Sequence, residues 1–201
     1  MSILLDAGPS LNFLAVGQEN ILIKAAASQK LQLAAPARVD AEIIGMARNP
    51  RFERTRVRTT WARLKASQRV EILPDELTTQ QFTNAVARIS GMQAPQRIRD
   101  RKSLGEIMVL AHASVYAQRG TNVFVLIDDG DGRKRAGQEA VWLREQGYAS
   151  ILTLWSTRQV LQEAGRRTGW IRGDQGWEQI YDAMTAFDDG LRPRSEWQKK
   201  P

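Results

Sequence analysis

Two rhythms of apolar and polar residues alternate along this chain. Short apolar runs read as strands: "SILL" (2–5), "VEIL" (70–73), "NVFVLI" (122–127) and "ASILTLW" (149–155). The continuous run at 122–127 has the character of a strand covered on both faces. Between the runs, apolar residues recur at helical spacing. "PSLNFLAVG" predicts a helix opened by Pro9. "NILIKAAASQKLQLAAP" mixes a short helix or turn with a second strand that leads into Pro36. Residues 37–50 place Val39, Ile43 and Met46 on one helical face, with Glu42 near the first turn. "TTQQFTNAVARISGM" starts from a threonine cap, carries Phe82, Val86 and Ile89, and stops at Gly91. Residues 102–120 form the longest predicted helix, with Ile107, Leu110, Ala111 and Ser114 along a face and Gly120 as its stop. Two more helices are expected over 134–147 and 156–169.

Strands alternating with helices predict an α/β fold, a three-layer α/β/α domain around a central, mainly parallel sheet. Residues 1–165 carry that pattern. From 166 to 201 the chain turns rich in tryptophan and polar residues, with one amphipathic helix in "GWEQIYDAMTAF". That stretch is expected to be a C-terminal helical extension, packed on the domain or on a partner, with a frayed basic tail.

Composition narrows the chemistry. The 201 residues, 42% hydrophobic and 25% charged, suffice for one sizeable core. There is no cysteine, which excludes disulfides and thiolate metal sites, so any metal must be held by oxygens with at most one imidazole. No apolar run approaches the length of a membrane span, and the N-terminus lacks the pattern of a signal peptide. A cytoplasmic protein with no membrane partner is expected. The formal charge is +7, and arginines cluster in 48–69, 96–102 and 132–135. Such clusters serve either as a solvated surface or as a polyanion-binding one.

The acidic residues decide between those alternatives. Asp6 follows the first strand, Glu42 lies in the helix after the second, Glu106 opens the long helix, and Asp128 and Asp129 end the strongest strand. In a parallel α/β sheet the carboxyl ends of strands and the starts of the following helices share one edge, where ligands bind. Crowded carboxylates raise one another's pKa unless a cation neutralises them, and hard oxygen donors point to Mg²⁺ or Mn²⁺. Ser10 and Asn12, just beyond Asp6, are candidates to anchor a carboxylate from behind. Arg99, Arg101, Lys102 and Arg133 are expected near the same edge, where they could hold a phosphate backbone.

In order along the chain, "ILLDAGPSLNFLA", "PARVDAEI", "KSLGEIMVLAHA", "VFVLIDDGDGRKRA" and "ILTLWSTRQVLQEA" resemble the PIN-domain ribonucleases found as toxins in bacterial VapBC-type toxin–antitoxin pairs. The resemblance covers roughly residues 2–165. It implies a doubly wound fold, metal-dependent endonucleolytic cleavage of RNA, a small antitoxin as partner, and a homodimer. Asp6, Glu42, Glu106 and Asp129 correspond to the family's catalytic acids, with Asp128 and Asp131 competing for the last place; Asp6, Glu106, Asp129 and Asp128 are the expected metal ligands. Two departures stand out: Glu106 replaces the aspartate of the commoner toxins, and the spacer between Glu42 and Glu106 is long and rich in arginine.

Each residue has a plainer reading. Asp6 could cap the following helix, Glu42 and Glu106 could favour a helix dipole, and "DDGDG" could be a turn. His112 reads as a packing or surface residue, and Trp155, Trp170, Trp177 and Trp197 read as packing groups before stacking platforms. The alternative at the level of function is a catalytically inactive PIN-like module that binds RNA or protein.

Overall fold

The computed structural model describes residues 1–197 and sets the apolar runs side by side in one all-parallel sheet. Its strands are β1 (Ser2–Leu5), β2 (Gln32–Pro36), β3 (Val70–Leu73), β4 (Val123–Leu126) and β5 (Leu152–Trp155), in the order β3-β2-β1-β4-β5. Leu4 pairs with Ala34 on one side and Val125 on the other, so β1 is the central strand and all four of its residues are buried. The chain winds outward from β1 to β3, then returns to lay β4 against the other side of β1. Right-handed crossovers in the two directions put helices on both faces, which gives the three-layer α/β/α arrangement.

The helices are α1 (Ala7–Ala15), α2 (Glu19–Ser28), α3 (Ala37–Met46), α4 (Val57–Ala66), α5 (Gln80–Ser90), α6 (Ala94–Arg97), α7 (Leu104–Gln118), α8 (Gly130–Glu145), α9 (Thr157–Gly165) and α10 (Trp177–Thr185). Local chemistry sets several of their ends. The Thr79 hydroxyl accepts from the Phe82 amide to start α5, and Gly91, at φ +68°, ends it in the left-handed conformation. Ser156 and Gln159 form a reciprocal capping box on α9. Helix α1 begins at Ala7, before the predicted Pro9, which then sits in the first turn, where a missing N–H leaves no helical bond unmade.

Two expectations about faces change. Met46 is 44% exposed and off the core, although Val39 and Ile43 are buried as predicted. Helix α7 is buried nearly all round instead of along one face. It lies between two apolar clusters, with Val109, Leu110 and Ala113 in the main core and Ile107, Met108 and Ala111 packed against Phe82 and Val86 of α5. A helix enclosed on both sides needs no polar stripe.

The segment after α9 packs on the domain. Ile180, Tyr181, Met184 and Leu191 join the main core. Gln18 and Arg172 exchange two side-chain-to-backbone bonds of 3.0 Å, and buried Glu19 accepts from Arg63 and Arg172 at 3.1 and 2.8 Å. Most of the predicted basic tail, residues 198–201, lies outside the described residues. No helix among the described residues is long and apolar enough to cross a membrane.

One buried ion pair ties the outer helix to the inner layer. Arg88 of α5 donates to both Glu139 oxygens of α8, at 3.0 and 2.5 Å, and to Ser114 of α7 at 3.0 Å, while its guanidinium carbon lies 3.4 Å from the Trp142 ring centroid. Glu139 is buried, so removing its partner strands a charge. Arg88→Met is expected to destabilise the fold by about 3–5 kcal/mol in urea denaturation, and adding Glu139→Gln should recover much of that loss.

Candidate active site

The reversal of winding falls between β1 and β4, and both strands end there in acids. The Asp6 amide donates to the Leu126 carbonyl at 3.2 Å, and the Ile127 amide to the Trp155 carbonyl at 3.2 Å, so the sheet's bonding runs to its last residues. Asp6 and Asp128 therefore leave the carboxyl edge side by side, at the switch point where doubly wound sheets bind ligands.

Asp6 occupies the cap position of α1 with extended backbone, yet its carboxylate makes no capping bond to the helix. Burial pushes its pKa from 3.8 to about 7; the Ala7 amide opposes the shift, and the charges of Glu42, Glu106 and Asp128 add to it. Three elements besides β1 thus bring negative charge to bear on one carboxyl group.

Glu42 projects from α3, and Arg38 one turn earlier donates to it at 3.0 Å. Its carboxylate rests on Gly105 of α7, where a methyl group would collide with it. Glu106, in the first turn of α7, is buried, and its carboxyl carbon would stand 2.8 Å from a Cβ on Gly132 of α8. Burial pushes the Glu106 pKa from 4.5 to about 7; Arg135, 3.2 Å away, opposes this, while Asp129 and Asp131 reinforce it. Two glycines therefore provide the space that two of the acids fill.

The remaining acids divide their work. Asp128 accepts from the Thr157 amide at 2.8 Å and from the Thr157 hydroxyl, which pins the start of α9. Burial raises its pKa against those bonds, and Asp188 raises it further. Asp129 Oδ1 caps α8, accepting from the amides of Asp131 and Gly132 at 2.9 and 3.0 Å. Asp129 and Asp131 are both exposed.

Of the two candidates to anchor a carboxylate, Asn12 holds that of Asp188 and Ser10 holds none. The Ser10 hydroxyl donates to the Asp6 main-chain carbonyl at 2.7 Å, as a buried hydroxyl on the next helical turn readily does. Asn12 Nδ2 donates at 2.7 Å to Asp188, a residue of the C-terminal extension that the sequence reading had not singled out. Asp188 also accepts from the Gly190 amide at 2.8 Å and lies 3.8 Å from the position of a Cβ on Gly8. The one available signal was its Asp-Asp-Gly context, shared with residues 128–130.

Among the basic residues, exposed Arg99, Arg101 and Lys102 lie on the loop before α7, and the Arg101 carbonyl accepts from Arg38 at 3.4 Å, beside Glu42. Arg133 donates to the Ile127 and Trp155 carbonyls at 3.1 and 3.4 Å, across the ends of β4 and β5. His112 packs on Phe82 with ring centroids 4.5 Å apart and meets Asp75 at 3.0 Å, and Asp75 also accepts from the Arg38 amide.

The acidic donor set is all hard oxygen, and the mutual repulsion around Asp6 and Glu106 is what a divalent cation would relieve. Among the described residues no group of three or more histidine, aspartate or glutamate side chains is arranged to hold a metal ion. The fit is thus in charge and donor chemistry. Comparison with known proteins finds no matching family model, no matching curated protein and no matching solved structure.

Asp6 carries a sign-definite consequence for stability. Its pKa is raised in the folded state, so between about 4 and 7 the unfolded chain binds fewer protons, and stability falls as pH rises through that window. With chelator present, Asp6→Asn should flatten this slope and raise stability at pH 8 by up to about 4 kcal/mol, measured by urea denaturation at several pH values. Gly105→Ala separates site from fold: a helical alanine gains up to about 1 kcal/mol, yet it must displace Glu42. Unfolding curves should show stability kept or raised while whatever activity depends on Glu42 falls.

Proposed function

We propose that the chain is a Mg²⁺- or Mn²⁺-dependent endoribonuclease with a PIN-like site, acting in the cytoplasm as the toxin of a toxin–antitoxin pair. A homodimer silenced by a small antitoxin protein belongs to the same reading. The observation that carries it is the pair Asp6 and Glu106, raised to about 7 by burial and by neighbouring carboxylates at the switch point of the sheet. A surface built only to bind a polyanion gains nothing from negative charge concentrated there.

In this reading Asp6 and Glu106 would hold the cation, with Asp129 and Asp128 beside them. When bound, the ion supplies an activated water and stabilises negative charge on the leaving oxygen. Glu42, paired with Arg38, would accept a hydrogen bond from water, and Arg135, paired with Glu106, would keep that acid in position. Arg99, Arg101, Lys102 and Arg133 provide positive charge around the acids for the RNA backbone.

A second reading, an inactive module that binds RNA or protein, draws on a specific observation. Glu42 and Glu106 are paired with arginines, and Asp128 and Asp129 are committed to the starts of α9 and α8. Incubation of a mixed RNA pool with the protein and Mg²⁺ or Mn²⁺ separates the two. Cleavage should appear with metal, vanish with chelator, and fall about 100-fold or more in Asp6→Asn and Asp129→Asn while circular dichroism stays native. No cleavage with either metal, or cleavage equal in all three proteins, refutes the nuclease.

A further inference from the structure

Beside the acids, the C-terminal extension closes a second feature. Residues 190–197 curve past the ends of β4 and β5 and leave a cavity of about 580 Å³, lined by Asp128, Arg133, Arg158, Tyr181, Arg192 and Trp197 among others. That volume lies within the usual range for small-ligand sites. Asp128 belongs to both places, so the cavity opens directly beside the carboxylates.

The lining combines unpaired positive charge with stacked planes. Arg38, Arg51, Arg63, Arg88, Arg135 and Arg172 all form ion pairs with carboxylates. Among the described residues Arg133, Arg158 and Arg192 form none, although exposed Glu196 also lines the cavity. The Arg158 guanidinium carbon sits 3.8 Å from the Trp197 ring centroid. That indole stacks on Trp177 with ring planes 4° apart and takes Tyr181 edge-on at 4.9 Å. The Tyr181 hydroxyl and the Trp197 indole N–H both donate to the Arg192 carbonyl, at 3.0 and 3.2 Å, which holds the loop in place. The arginine plane is thereby backed by a rigid aromatic stack.

We propose that this cavity binds an unpaired nucleotide of single-stranded RNA next to the phosphate presented to the acids. Its base stacks on the Arg158 plane, and Arg192 takes the phosphate oxygens, joined by the Arg133 donors that the Ile127 and Trp155 carbonyls leave over. Guanidinium planes and aromatic rings are the platforms on which proteins receive splayed-out bases, and guanidinium groups without a carboxylate partner recognise phosphate. A paired base cannot enter, so the cavity selects single strands over duplexes. The proposal rests on the nuclease reading for its substrate, but binding can be tested without cleavage.

The experiment uses the full chain, a short fluorescein-labelled single-stranded RNA, and the same sequence as a duplex. Affinity is read by anisotropy in chelator, and cleavage kinetics in Mg²⁺. Arg158→Ala and Arg192→Ala, both on the surface, should each weaken single-strand binding about 5- to 100-fold. KM should rise by a similar factor, with kcat affected less. Arg158→Lys, which keeps the charge and loses the plane, should fall between Arg158→Ala and wild type, and Asp6→Asn should bind at least as tightly as wild type. Wild-type affinity in both alanine variants, equal affinity for the duplex, or displacement of the RNA by an acidic peptide at equal concentration overturns the cavity's role. Cleavage that persists unchanged in those variants removes the cavity and leaves the nuclease. Binding lost in the variants, with no cleavage by wild type in Mg²⁺ or Mn²⁺, removes the nuclease and leaves the cavity.

Discussion

Like charges held together against their repulsion are the constraint on which this structure turns. Water would separate the carboxylates of Asp6, Glu42, Glu106 and Asp128, and only a rigid frame keeps their fields overlapping. The frame is the central parallel sheet with β1 at its middle, whose residues are fully enclosed and cannot shift without disturbing both neighbouring strands. Because the winding direction reverses between β1 and β4, no crossover covers that stretch of the carboxyl edge, and acids placed there meet one another across an open crevice.

The surrounding side chains relieve this repulsion only in part. Arg38 partners Glu42 and Arg135 partners Glu106, each from the acid's own or an adjoining helix. Among the described residues neither Asp6 nor Asp128 has such a partner, and burial with the neighbouring carboxylates pushes the Asp6 pKa up to about 7. Gly105 of α7 and Gly132 of α8 leave open the space that the Glu42 and Glu106 carboxylates occupy. At Gly105 the glycine serves the site more than the fold, since a Cβ there meets only the end of the Glu42 side chain.

Much of the architecture was readable from the chain because a parallel sheet leaves strong signals: short apolar runs, helical periods between them, and caps such as Thr79 and Ser156. The gathering of Asp6, Glu42 and Glu106 followed from their places at strand ends and helix starts. Other features were not legible, for definite reasons. Met46 lies on the turn where α3 leaves the core, and α7 is enclosed by α5, which periodicity within α7 cannot reveal. Asn12 anchors a carboxylate, but that of Asp188, contributed by a segment 176 residues away that local sequence cannot point to. The distinct tasks of Asp128 and Asp129 depend on where the amides of Thr157 and Gly132 point, a matter of backbone geometry that adjacent identical letters conceal.

The clasp that residues 172–189 close on the first quarter of the chain bears on the order of assembly. Asn12 meets Asp188, Gln18 meets Arg172, Glu19 meets Arg172, and Arg51 meets Asp189, partners separated by 138 to 176 residues. Contacts between segments so distant form late, after the entropy of closing the long intervening loop has been met. A chain that has already built its sheet therefore still lacks the wall beside Asp128 until this clasp shuts.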